Sequence, residues 1–263
     1  MHKLTVLAVC LTMTGCAKDF SDKSGDNDLI STAHAATAKP TSAADRMPTL
    51  EGVLARHFEA LGGENNLRTA KTMMYSGTYT QAGKTTKVAK YYQRAGHKFR
   101  MEKQNDEKSK LMIVNGDQVS LTINGKAEEL PAAKMAKMVR YGDMDDVLLT
   151  YQQGGQKVRL LGKSEVKGKP AYELEIVRSA HETELRYLDA ASYLESKRVV
   201  SWQHEGKSGK TVVYFSDYRD VGNGMMVNFH ADYESEKGPG QFVLDAASYN
   251  EPMDAARFQI PNS

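Results

Sequence analysis

The chain has 263 residues, with 35 Lys and Arg against 33 Asp and Glu and a formal net charge of +2. That balance carries no basic footprint of the kind that binds nucleic acid. The two cysteines, Cys10 and Cys16, both lie near the start, which excludes a disulfide framework, thiolate metal ligation and cysteine catalysis in everything that follows.

Lys3 precedes a short apolar run, Leu4 to Leu11. A bilayer takes about 20 helical residues, so this run reads as an export signal and not as a span. Lys18, Asp19, Ser21 and Asp22 follow at once, so no stop-transfer segment continues it. Met13-Thr14-Gly15-Cys16 resembles the lipobox of bacterial lipoproteins, in which the cysteine is acylated and becomes the mature N-terminus. The resemblance implies a lipoprotein signal peptide over 1–15 and lipidation of Cys16. Ala33-His34-Ala35 offers another cleavage pattern, but it lies too far beyond the apolar run. By the same resemblance Ala17, standing where Asp would retain the protein in the inner membrane, implies the periplasmic side of the outer membrane. Residues 17–46, dominated by Asp, Ser, Ala, Thr and Lys with Pro40 among them, read as a flexible tether. Such a chain spans roughly 30 Å. One folded domain is expected over 47–263, anchored to the membrane and not embedded in it.

Pro48-Thr49 supplies a helix start, Leu50, Val53, Leu54, Phe58 and Leu61 recur at helical spacing, and Gly62-Gly63 ends the helix. His57 falls on this stripe and reads as a packed boundary histidine. No G-x-G-x-x-G or Walker pattern surrounds the two glycines, so they read as a C-cap and not as a phosphate loop. From Met73 onward the period becomes two. Tyr75, Gly77 and Tyr79 alternate with Ser76, Thr78 and Thr80; Val88, Lys90 and Tyr92 with Ala89, Tyr91 and Gln93; and His97, Phe99 and Met101 with Lys98, Arg100 and Glu102. Asn115-Gly116-Asp117 joins two further strands, 111–114 and 119–123, in a hairpin.

Helical spacing returns over 131–153. Met135, Met138 and Val139 form one apolar patch; after Tyr141-Gly142, Asp143 is placed to cap a second helix carrying Met144, Val147, Leu148 and Tyr151. These seven residues are the candidates for a cover over a ligand cavity, with ordinary core packing as the alternative for each, and Gly142 is the candidate hinge. Strands resume at 157–162, 171–178, 184–189, 198–204, 210–218, 225–230 and 241–248. A total of about twelve strands is too many for a flat open sheet, so the expected fold is mainly β (α+β): a strongly curved antiparallel sheet or incomplete barrel of 11–12 strands, an N-terminal helix and a two-helix lid.

Phe58-Glu59-Ala60-Leu61-Gly62-Gly63 with Leu67, Lys71 and Gly77 resembles the N-terminal pattern of outer-membrane lipoprotein-sorting-type proteins, the LolA/LolB-like superfamily of the periplasmic lipoprotein carrier and its outer-membrane acceptor. Tyr187-Leu188-Asp189, Ser216-Asp217-Tyr218-Arg219-Asp220 and Asn250-Glu251-Pro252-Met253-Asp254 extend it along the chain. The resemblance implies a half-barrel with a helix-covered apolar cavity that shields acyl chains, and the lipobox brings the chain nearer to the anchored acceptor than to the soluble carrier. A lipid or lipoprotein is then the expected ligand, with no cofactor. An envelope sensor or scaffold that binds a partner protein is the second reading.

An envelope hydrolase is the third. G-x-S-x-G and H-E-x-x-H are both missing from the sequence, and His181-Glu182-Thr183-Glu184 lacks the second histidine because Leu185 occupies its place. Asp143, Asp145 and Asp146 suggest helix N-terminal charges before a cation site. No catalytic residue and no metal ligand is assigned.

Overall fold

The computed structural model describes residues 47–204 and 206–260; the signal, Cys16 and the tether lie outside them. Helix α1 (Leu50–Ala60) starts where the sequence places it, with the Thr49 hydroxyl accepting from the Gly52 backbone N–H at 3.1 Å. It ends at Gly62, whose φ of +112° suits glycine, and whose missing side chain lets the Gly224 carbonyl pack close by. A short helix α2 (Glu64–Thr69) follows. Its six residues hold too few turns to show a period.

Two antiparallel meanders make up the sheet. The first runs β1 (Thr72–Gln81), β2 (Lys84–Gln93), β3 (Lys98–Gln104), β4 (Ser109–Asn115), β5 (Gln118–Ile123) and the two-residue β6 (Lys126–Ala127). The second runs β7 (Lys157–Val166), β8 (Lys169–Ser179), β9 (Glu182–Asp189), β10 (Glu195–His204), β11 (Lys207–Asp220), β12 (Met226–Ser235) and β13 (Gly238–Tyr249). Pairing of β1 with β13 welds them into one sheet of thirteen described strands, ordered β6-β5-β4-β3-β2-β1-β13-β12-β11-β10-β9-β8-β7. At that weld the register shifts by a bulge beside Gly77, where any Cβ would stand 2.3 Å from the Val243 carbonyl oxygen. The end strands β6 and β7 do not pair, so the curved sheet stays unclosed. The strand count exceeds the expected twelve by β6, which is too short to alternate.

Alternation sorts the faces. Met73, Tyr75 and Tyr79, Val88 and Tyr92, Phe99 and Met101, Met112 and Val114, Phe229, Ala231 and Tyr233 form one continuous concave core. The connection from β6 to β7 crosses this face and carries α3 (Ala132–Val139), a 3-10 turn (Arg140–Gly142) and α4 (Val147–Gly154). Met138 joins the core just described, whereas Val147, Leu148 and Leu149 pack with Val53, Leu54 and Phe58 of α1 over Leu174 and Ile176 of β8. On the convex side the closing 3-10 turn, Ala255–Phe258, packs on β3 and β4, with Phe258 and Ile113 fully buried.

One expected boundary is corrected. Asp143 does not cap the second helix, and Met144 is not part of it. The cap is Asp146, whose carboxylate accepts from the Leu148 backbone N–H at 2.8 Å, and α4 begins at Val147. All three aspartates are chemically able to cap; a tertiary partner, Arg186, selects the third.

Candidate ligand-binding site

Two cavities meet at Met144. The smaller, about 140 Å³, lies beneath α1 and is walled by Phe58, Leu61, Leu67, Met73, Tyr75, Phe215 and Val227. The larger, about 320 Å³, is polar, with Arg94, His97, Asp143, Asp145 and Arg178 on its walls. Met144 lines both. An apolar cavity of about 150 Å³ holds a benzene-sized molecule, so the smaller one takes only part of an acyl chain as it stands.

Its polar end is a ladder of buried ion pairs carried on the inward positions of three adjacent strands and on the α4 cap. Arg178 of β8 pairs with Glu184 of β9, Arg186 reaches Glu184 at 3.0 Å and Asp146 at 2.8 Å, and Arg198 of β10 pairs with Glu195 at 2.6 Å. The Tyr218 hydroxyl donates to the Glu195 carbonyl at 2.8 Å. Three guanidinium groups thus face three carboxylates, and Glu184 and Arg186 are 0% and 1% exposed. Burial alone would raise the carboxyl pKa values. For both Glu184 and Asp146 the neighbouring arginines outweigh it and hold them below the ordinary carboxylate range. Arg186 lines the smaller cavity, and its Nη2 is buried without a hydrogen-bond partner. His57, also on that wall, donates from Nδ1 to the Tyr193 carbonyl at 2.8 Å, and burial lowers its pKa. The neutral ring so fixed turns an acceptor nitrogen, Nε2, to its other side.

Polar and ring contacts hold the cover at several points. Three contacts fix the 145–149 stretch. Arg94 grips Asp145 through two 2.8 Å bonds, Arg186 grips Asp146, and the Arg68 Nη2 donates to the Leu149 carbonyl at 2.8 Å. α3 is tied at its C-terminal end by His97, whose Nε2 donates to the Val139 carbonyl at 2.9 Å, and Tyr141 beyond it stacks on Phe99. Gly142 is buried against the same ring; a Cβ there would lie 2.9 Å from His97 Nε2.

Of the residues singled out from sequence, Met144 lines both cavities and Val147 the larger one. Leu148, 2% exposed, lies in the packing between α1 and β8, and half-buried Tyr151 packs at its border. Met138 is buried in the concave core, and Met135 and Val139 are half-buried on α3. The three aspartates diverge to separate partners: Asp145 to Arg94, Asp146 to Arg186, and Asp143 toward the His97 ring at 3.7 Å. The ladder itself escaped the sequence reading. Its signal was there: the inward series Tyr172, Leu174, Ile176 continues to Arg178, and Glu184, Arg186, Leu188 share the inward face of β9.

No family model and no curated protein matches the sequence. Solved structures do match. A DUF1329 family protein from Desulfovibrio piger superposes with a TM-score of 0.53 at 11% identity, covering 77% of this chain and 95% of its own. A LolA superfamily protein from Nitrosomonas europaea gives 0.53 at 8% identity, covering 81% of this chain and 98% of its own. An outer-membrane lipoprotein-sorting protein domain from Vibrio parahaemolyticus gives 0.49 at 10% identity, with 78% and 94% covered. At such identities the likeness is one of fold. The chain has the LolA-like fold, an unclosed antiparallel barrel with helices over its concave face: the alternation and strand count led us to expect the curved sheet, and the resemblance the LolA-like form of it.

Proposed function

We propose that the protein is a lipid-anchored envelope protein that binds the acyl chains of a lipid or lipoprotein on its concave face, for carriage or reception at the periplasmic side of the outer membrane. The observation that carries the reading is the apolar cavity beneath α1, which shares one flexible, unbranched wall residue, Met144, with a larger polar cavity. Methionine re-packs readily, and its displacement would merge the two into the several hundred Å³ typical of ligand sites. The moving part in this proposal is α3 with the 140–144 segment, which is latched to the sheet through His97. Gly142, under that latch, serves as the hinge.

The test is displacement of a fluorescent fatty acid from the purified protein. Met144→Ala is expected to raise probe affinity several-fold and Met144→Trp to lower it about tenfold, each with little change in unfolding free energy. Leu148→Ala is expected to do the reverse, costing about 2–5 kcal/mol of stability as a core truncation. A parent protein that binds no probe would sink the acyl reading.

A second reading, an envelope scaffold, has one observation in its favour. Edge strand β7 leaves its outer backbone unpaired over ten residues and exposes 48% of Leu161, which suits addition of a partner's strand. Native mass spectrometry of detergent-free protein separates the two: a retained lipid mass supports the first, a co-purified protein the second.

A further inference from the structure

Opposite the arginine ladder, the concave face of the first meander carries an excess of positive charge. Lys103 continues the inward series Phe99, Met101 on β3, and Lys110 precedes the inward Met112, Val114 on β4. The register sets these two lysines directly across from each other. Like charges at facing positions of antiparallel strands destabilise the pair. Lys134 of α3 adds a third positive field at Lys110, from the helix that covers this end of the sheet. Among the described residues none of Lys103, Lys110 and Lys134 has an ion-pair or hydrogen-bond partner.

The crowding has a consequence for protonation. Burial, followed by the fields of Lys90 and Lys110, pushes Lys103 down to about 7. Burial and the fields of Lys134 and Lys108 lower Lys110 as well. Two lysines set face to face by the register, with Lys134 of the covering helix adding its field at Lys110, match a ligand carrying close to two negative charges on several oxygens. A carboxylate, with one charge, would leave the repulsion largely in place; a phosphate monoester carries about −1.5 to −2 at neutral pH. Lysine binds phosphate as a point charge, without the planar fork that favours carboxylates.

We propose that Lys103, Lys110 and Lys134 form a binding site for a phosphate monoester, free or as a lipid headgroup, on the concave face beneath α3. The site stands on its own geometry and not on the acyl reading, since none of the three lysines lines the cavity under α1.

The intact purified chain is titrated with inorganic phosphate and, separately, with water-soluble dihexanoyl phosphatidic acid, dihexanoyl phosphatidylcholine serving as the control. Phosphate is expected to raise the melting temperature beyond the effect of sodium chloride at equal ionic strength. Lys110→Met and Lys103→Met are each expected to weaken binding about tenfold, the effect of removing one close charge, and to raise the melting temperature of the unliganded protein by relieving the repulsion. A lysine with a merely structural role would lower it. Phosphatidic acid binding about tenfold more tightly than inorganic phosphate assigns the site to a lipid headgroup, and equal affinities assign it to free phosphate. No response to either beyond the salt effect overturns the proposal, as does a substitution that lowers stability and leaves affinity unchanged. Persistent binding of an acyl probe under those conditions would leave the proposed function standing while this site fell.

Discussion

Cys16→Ser is expected to move the protein from the membrane fraction to the soluble periplasmic fraction while the domain keeps its circular dichroism and melting temperature. The reason is additive. Each buried methylene contributes about 0.8 kcal/mol, and one acyl chain holds a protein only marginally, so stable attachment needs several chains on one residue. Cys16 is the residue the Met13-Thr14-Gly15-Cys16 junction offers for them. Among the described residues no helix is long and apolar enough to cross a membrane. The fold should be indifferent to the change because the described domain begins 31 positions later, at Met47. Fractionation of cells expressing each form checks this, and identical partitioning would remove the lipoprotein reading.

Local chemistry wrote much of the fold into the sequence. Thr49 caps α1 through its own hydroxyl, Gly62 ends it through a backbone angle that suits glycine, and Gly116, at a φ of +61°, turns β4 into β5. Each depends on residues within one turn of itself, so the pattern is readable without tertiary information. The curvature followed from strand number. What failed to show was short or contextual. Helix α2 and strand β6 are too brief to display a period, and the choice among Asp143, Asp145 and Asp146 was made by Arg186, a strand partner 40 residues away.

The candidate site was legible only in part, for a related reason. Met144 was named on a helical spacing that the structure corrects, and it lines both cavities from the turn before α4. Lys103 and Lys110 become a pair only once the β3–β4 register is known, since a slip of one residue would turn one of them outward. Arg178, Glu184, Arg186 and Arg198 sat in strands that read as ordinary half-solvated surface. Their inward placement contradicts composition alone and is visible only by extending the apolar alternation through charged residues.

That buried ladder predicts the largest loss of stability. Glu184→Leu will leave Arg178 and Arg186 each without their shared carboxylate in a site that water barely reaches. Removing one partner of a buried pair typically costs about 3–5 kcal/mol, mostly the penalty of the stranded charge. Urea or thermal unfolding measures it, and a loss under about 1 kcal/mol would mean the arginines find new partners or solvent. The pH dependence follows from the same groups. Glu184 and Asp146 are held below their ordinary pKa, so the unfolded chain binds more protons than the folded one across the acid range. Their contribution is therefore fully present above about pH 5, where unfolded carboxylates are ionised, and drains away as pH falls through about 4 toward the depressed folded values. Glu184→Gln removes one of the two titrations, so its stability should fall less steeply with acid than the parent's. An unchanged acid slope would place the depressed carboxylates elsewhere. Since Arg186 holds Asp146, and Asp146 caps α4, loss of the ladder should also loosen the one helix of the cover that is otherwise clamped, and probe uptake should quicken even as the fold weakens.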